Sequence, residues 1–425
     1  MEELLYSIWL SLACNAGSES FAKLLLKFNS PKEIFLADGE AISSCINSRS
    51  KDYDRLIDKD TARAEEILDF CQKKKVGILT YFDPEFPNSL RSIKNPPVLL
   101  YYRGILPDFN NGFYISVVGT RWLSDYGRTC AFRLAYDLAL SGATVVSGMA
   151  TGIDGVALAA AVSADVPTVA VIGSGIDVCY PPQHKKLAQN IVKRGCVMTE
   201  YAPGTPPERQ NFPTRNRIVS GLSRATVVVE GNERSGSLIT ARFAKEQKRA
   251  VYAFPGNVGN KESRGSNLLI RNGATLITSA DDILRDFEDC ASGLLDPFSL
   301  PEKREVDMFS VIRELEVSCV TPSDDVFRSS RTVKRETKKN KSPIKEKKEE
   351  IKTEAQAREN DAEASSKLDR STFDLYKKIP LDKDCAVDEL VDDEHSLRDV
   401  MQGILKLELL KFVTMLPGDR VKRNL

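Results

Sequence analysis

Apolar residues in the first 75 positions recur at helical spacing, and Leu4, Leu5, Ile8, Trp9 and Leu12 mark the inner face of a first helix. Gly17, Asn29-Ser30-Pro31 and a polar stretch at 47–50 divide the rest of this region into further short helices. Ser30-Pro31-Lys32-Glu33 has the form of a capping box with proline at the first helical position. From 76 to 112 the apolar runs shorten to Val76-Gly77-Ile78-Leu79 and Val98-Leu99-Leu100-Tyr101-Tyr102, strands broken by Pro84, Pro87 and Pro96-Pro97.

Beyond 113 the pattern alternates. Short β-rich runs at 114–118, 143–147, 168–172, 196–199, 226–230 and 250–254 are separated by helical stretches near 124–140, 153–163, 183–193, 214–222, 236–247 and 264–272. Strands spaced by helices specify crossover units and a parallel sheet covered on both faces, which explains the unbroken Val/Ile runs. The predicted fold class is α/β: a Rossmann-like parallel sheet core with an N-terminal helical domain and a C-terminal winged helix.

The expected domains are a helical, SAM-like domain over 1–75, a connecting segment packed on the core over 76–112, the Rossmann-like domain over 113–290, a linker over 291–367 and the winged helix over 368–425. From about 328 the linker alternates Lys/Arg with Glu, Ser, Thr and Ala, too polar to offset chain entropy, and reads as a disordered spacer. After it, helical stretches near 370–378, 384–391 and 396–407 lead into Leu409-Leu410-Lys411-Phe412-Val413-Thr414-Met415 and a Pro417-Gly418-Asp419 turn. Basic residues are sparse at the would-be recognition helix (Arg398, Lys406), and Asp382, Asp384, Asp388, Glu389, Asp392, Asp393 and Glu394 precede it. Protein contact is therefore as well supported there as DNA binding.

Composition narrows the class. The 425 residues are 42% hydrophobic and 28% charged, the balance of a globular protein of two to four domains. No apolar run is long enough to span a membrane. Glu2 and Glu3 stand where a secretion signal carries cations, so a cytoplasmic protein is expected. Nine scattered cysteines, never closer than 17 residues, form no CxxC and predict reduced thiols. With only His184 and His395, both expected at the surface, neither a zinc site nor a Ser-His-Asp triad has the raw material, and no metal or cofactor is expected.

Sixty basic and sixty acidic residues cancel over the whole chain, but 113–287 holds 20 against 14. The neutral total hides a basic α/β domain.

In a parallel sheet, ligands bind beyond the carboxyl ends of the strands, where helix N-termini aim free N–H groups outward. Those ends carry Val118-Gly119-Thr120-Arg121, then Ser147-Gly148-Met149-Ala150-Thr151-Gly152-Ile153-Asp154-Gly155, and Gly173-Ser174-Gly175-Ile176-Asp177. They continue with Glu230-Gly231-Asn232-Glu233-Arg234-Ser235-Gly236-Ser237 and Pro255-Gly256-Asn257. Glycine permits the close backbone approach that a phosphate cradle needs. Five such loops on one rim predict an anion or nucleotide site. Neither a P-loop nor, after the first strand, a dinucleotide fingerprint is present. Phe212-Pro213-Thr214-Arg215-Asn216-Arg217 adds a helix that Thr214 would cap, with Arg215 and Arg217 in its first turn. Cations there oppose the helix dipole unless an anion or a carboxylate lies between them.

Taken together, these loops resemble the DNA-processing protein A (DprA, or Smf) family. The resemblance extends through Thr168-Val169-Ala170-Val171-Ile172-Gly173, Tyr180-Pro181, Glu200-Tyr201-Ala202-Pro203-Gly204 and Ser235-Gly236-Ser237-Leu238-Ile239-Thr240-Ala241 to Phe254-Pro255-Gly256 and Asn267-Leu268-Leu269-Ile270-Arg271-Asn272-Gly273-Ala274. It implies a cytoplasmic homodimer, not an enzyme, that binds single-stranded DNA and loads a RecA-type recombinase in natural transformation and recombination.

The implied DNA-binding residues are Gly119, Thr120, Arg121, Ser147, Gly148, Gly152, Gly173, Gly175, Lys185, Lys186, Phe212, Arg215, Asn216, Arg217, Ser235, Gly236 and Ser237, with Tyr126, Tyr180 and Phe212 as candidates for base stacking. The chain departs from the family pattern at Leu158, Pro182 and His184. Two other readings remain open: a nucleoside monophosphate N-glycosidic hydrolase, using Asp154, Asp177 or Glu230, and a nucleotide sensor without catalysis.

Overall fold

The computed structural model describes residues 2–288, 305–319, 368–380, 385–392, 397–410, 412–416 and 420–423. The amino-terminal unit opens with α1 (Glu2–Ala13), α2 (Ser20–Leu24), α3 (Pro31–Leu36), α4 (Gly39–Ser43), α5 (Lys51–Ile57) and α6 (Ala62–Lys74). These helices are short, and their apolar faces converge on Ile8, Leu10, Leu24, Ile34, Ile42 and Leu56, all fully buried. The cap on α3 forms as expected: Ser30 Oγ accepts from Glu33 N at 3.1 Å, and Glu33 Oε2 accepts from Asn29 N at 2.8 Å.

The sheet contains β1 (Gly77–Thr80), β2 (Leu99–Gly104), β3 (Tyr114–Val118), β4 (Thr144–Ser147), β5 (Thr168–Val171), β6 (Cys196–Thr199), β7 (Ala225–Val228), β8 (Ala250–Ala253) and β9 (Thr275–Leu276). Their order is β1-β2-β6-β5-β4-β3-β7-β8-β9. Every neighbouring pair between β6 and β9 in that order is parallel, whereas β1 and β2 add antiparallel strands at the β6 edge. The segment 76–112 therefore does more than pack on the core: it continues the same sheet.

Crossover helices α8 (Asp125–Leu140), α9 (Ile153–Ser163) and α10 (Lys185–Ile191) contribute to the apolar cluster on one face. On the other face, α11 (Asn211–Leu222) and α12 (Gly236–Glu246) supply Ile218, Val219, Leu222, Ala241 and Ala244. Strands β3, β5, β6 and β7 are buried at every residue, as a sheet covered on both faces requires. Helices α13 (Arg264–Arg271) and α14 (Asp281–Asp286) follow β8 and β9. Chain order runs outward from β3 through β4, β5 and β6, then returns to the other side of β3 with β7. The crevice between the carboxyl ends of β3 and β7 is the topological switch point.

Two expectations change here. Residues 305–319 are not linker: α15 (Met308–Glu314) packs against α9, and Leu315 and Val317 are buried. Val306, Met308, Val311, Ile312, Leu315 and Val317 recur at a spacing that suits an apolar surface. The expected disordered stretch at 328–367 lies outside the described residues. His184 is not on the surface either. It is fully buried, its Nδ1 is 3.1 Å from Met149 O, and its Nε2 accepts from Ser318 N at 3.0 Å. His395 lies outside the described residues.

The carboxy-terminal unit holds α16 (Arg370–Lys378), β10 (Cys385–Ala386), α17 (Leu397–Leu409), β11 (Val413–Leu416) and β12 (Arg420–Arg423). Its antiparallel sheet has the order β10-β12-β11 around Leu375, Tyr376, Val400, Ile404, Leu407, Val413 and Val421. The middle helix expected at 384–391 is instead strand β10 and a 3-10 turn at Val387–Leu390. Cys385 and Ala386 pair with Val421 and Arg420, so ladder bonds replace helical ones. Among the described residues, no helix is long and apolar enough to cross a membrane.

Candidate functional site

A cleft of about 1100 Å³ opens at the switch point. The loop after β3 contributes Gly119, Thr120 and Arg121, the loop after β4 contributes Gly148 and Ala150, and the first turn of α9 contributes Asp154. From α11 come Phe212, Arg215 and Asn216, and from the start of α12 Ser235, Gly236 and Ser237. Gly236 opens an 11-residue helix, and a Cβ added there would meet only open space.

Charge in the cleft is lopsided. Its lining includes the cations Arg121, Arg209, Arg215, Arg234, Lys261 and Arg264 against the carboxylates Asp154, Glu233 and Glu262. Arg121, Arg209, Arg234, Lys261 and Arg264 form no ion pair among the described residues, and all five are exposed. Unpaired cations in a concave, low-dielectric groove focus a positive field. Beside them the guanidinium of Arg121 lies 5.3 Å from the centre of the Phe212 ring, and the Tyr180 ring centre lies 5.5 Å from that of Phe212. That row sets two aromatic faces, tilted 41° to each other, beside a charge.

Arg215 has a different role from the unpaired cations. It is buried, and its Nη1 donates to Gly148 O at 2.6 Å and to Val171 O, tying α11 to β5 and the loop after β4. Burial pulls its pKa down to about 10, with the nearby Asp154 carboxylate opposing the shift, so it remains a cation at neutral pH. Burial in turn raises the Asp154 carboxyl. Gly148 makes this packing possible: a Cβ there would sit 2.5 Å from both Arg215 Nη2 and Asp154 Oδ2. Gly148→Ala is expected to destabilise the chain by about 1–3 kcal/mol, the usual cost of overpacking, read by thermal unfolding.

The remaining expected residues separate from the cleft. Arg217 points the other way and pairs with Glu200 at 2.6 Å, both side chains nearly buried. Residues two apart on a helix project to different faces, so Arg215 and Arg217 cannot share one anion. Thr214 does not cap α11, which starts at Asn211, and its Oγ1 donates to Gln210 O at 3.1 Å. Ser147 is buried and gives its hydroxyl proton to Val117 O at 2.6 Å. Gly152 has φ +81° and gives its N–H to Ser318 O at 3.0 Å, while Gly175 gives its own to Thr205 O at 2.9 Å.

Gly173 lies beside the cleft, in a small pocket with Arg121, Gly148 and Phe212. Lys185 borders a separate hollow of about 230 Å³ with Arg103 and Asp177, and Lys186 faces Glu316 at 4.0 Å. Tyr126 is bonded through its hydroxyl to Pro255 O at 2.7 Å and does not line the cleft.

The carboxylates considered for catalysis all hold loops. Glu230 accepts from Ser124 N and Oγ and from Asn260 Nδ2, Asp154 accepts from Gly148 N, and Asp177 accepts from Gly204 N. Burial raises the Glu230 carboxyl, opposed by its bonds to Ser124. Arg209, Lys261 and Arg264 escaped the sequence reading because none belongs to the glycine-rich loops that marked the rim. Arg264 alone left a trace, as a cation opening a helix.

Fold and cleft together define an α/β protein with a cation-rich cleft at the switch point of its sheet. Residues 77–288 match the family of DNA recombination-mediator protein A. The DNA processing protein DprA of Streptococcus pneumoniae is 38% identical over 260 residues, 61% of this chain and 89% of that protein. Protein Smf of Synechocystis is 40% identical over 222 residues, 52% of this chain and 56% of its own length. The chain therefore matches little more than half the length of that relative. An X-ray structure of DNA processing protein A from Streptococcus pneumoniae superposes with a TM-score of 0.58 at 33% identity, covering 67% of this chain and 98% of that one. The chain belongs to the DprA/Smf family of DNA-processing proteins.

Proposed function

We propose that this protein binds single-stranded DNA through the switch-point cleft and, as a recombination mediator, hands it to a RecA-type recombinase. The observation that carries the reading is the set of unpaired cations around the Tyr180–Phe212–Arg121 row. Cations follow the phosphates, and aromatic faces stack on bases that a duplex would keep paired. In this reading Gly119, Gly148, Asn216 and the Ser235–Ser237 turn shape the wall along which the backbone runs. The protein acts as a homodimer, which places two such clefts on one strand and raises effective concentration on long DNA. The carboxy-terminal unit is a winged helix whose acidic approach suits a protein partner.

The test is titration at fixed salt with a labelled single-stranded oligonucleotide, the matching duplex and nucleoside monophosphates. Tight binding of the single strand is expected, with weaker binding of the duplex and little of the monomers. A folded protein that binds no oligonucleotide at low salt would sink the proposal.

A further inference from the structure

We infer that residues 305–319 form a latch belonging to the cleft, and that His184 is the positioning residue through which the latch sets the rim loop after β4. The inference rests on the reading of the cleft as a DNA site. The rim loop needs outside support: Met149 is a non-glycine residue at φ +54°, a backbone region L-residues seldom adopt. Its carbonyl faces His184 Nδ1 at 3.1 Å. The other ring nitrogen, Nε2, accepts the Ser318 N–H at 3.0 Å, and Ser318 O accepts the Gly152 N–H at 3.0 Å.

This is a closed circuit: rim carbonyl, imidazole, latch backbone, rim amide. It requires a neutral imidazole carrying its proton on Nδ1. Between its two attachment points stand Ala150 and Thr151, which line the cleft or its side pocket. Gly155 makes room for the ring, since a Cβ there would approach Cε1 to 2.7 Å. The latch is held from outside by the buried Leu315 and Val317, and Arg128 lies 5.0 Å from the Phe309 ring centre.

The test uses the full chain and two variants that touch no cleft cation. Leu315→Asp places a charge in the apolar seat and undocks the latch. His184→Asn keeps a donor near the Nδ1 position but has no acceptor reaching Ser318. In both, the Gly152 and Ser318 amides should exchange hydrogen about ten-fold faster than in the wild type. Affinity for a fixed single-stranded oligonucleotide should fall about five-fold, within the range of couplings carried through packed side chains. The salt dependence should not change, because no phosphate contact is lost.

Faster exchange with unchanged affinity in both variants would overturn the inference, as would exchange that stays slow. If Leu315→Asp unfolds the chain, His184→Asn decides alone. Should the wild-type chain bind no oligonucleotide, the DNA reading fails separately. Exchange at Gly148 and Ile153, faster if the latch sets the rim and unchanged if not, then decides the latch.

Discussion

Replacing Arg121, Arg209, Arg234, Lys261 and Arg264 together by alanine is expected to abolish measurable binding of single-stranded DNA at physiological salt while leaving the chain folded. Each lost phosphate contact flattens the log–log salt dependence by about 0.7, so loss of all five should remove about 3.5. The fold should survive because none of these side chains forms an ion pair among the described residues and none is fully buried. Binding measured at four salt concentrations, with circular dichroism as a control, gives the slope. An unchanged slope in the folded variant would mean that DNA runs elsewhere. Arg121→Ala alone should lose more affinity than any other single change in the set, because it removes both a charge and the cap on the Phe212 ring.

The opposite signature is expected at Arg217. Removing one partner of a buried, bonded ion pair leaves the other charge unpaired and costs about 3–5 kcal/mol. Arg217→Ala should therefore lower the unfolding temperature by roughly 10 °C at about 2–4 °C per kcal/mol, and Glu200→Ala should do the same. Neither change should alter the salt slope of the folded protein. Arg217→Met combined with Glu200→Leu should recover much of the loss, since the isolated charge is gone. A flattened slope for Arg217→Ala would return Arg217 to the DNA path.

These two outcomes separate residues that look alike in the chain. Arg215 and Arg217 sit in one segment with equal helical standing, and both are charged. Their two-residue spacing turns them to different sides of α11, one onto the rim loops and the other toward Glu200. The spacing is visible in the chain itself. The carboxylate waiting for Arg217 is not, because Glu200 follows β6 and meets α11 only once the sheet is assembled.

By itself the sequence determined the architecture of the central domain, because its signals are local. Strands with both faces buried read as continuous Val/Ile runs, helices carry their own period, and glycines mark the turns that admit a close backbone. The alternation of strand and helix also confines any ligand to one rim. Tertiary structure alone decided which residues on that rim face one another. The cleft draws Arg121, Arg209, Arg234, Lys261 and Arg264 from separate stretches of the chain, and nothing local marks a cation as unpaired. It also decided that 305–319 docks and that His184 is buried, since both depend on a surface made by α9 and the loop after β4. Propensity and periodicity act over a few residues, whereas burial and pairing depend on neighbours more than a hundred positions away.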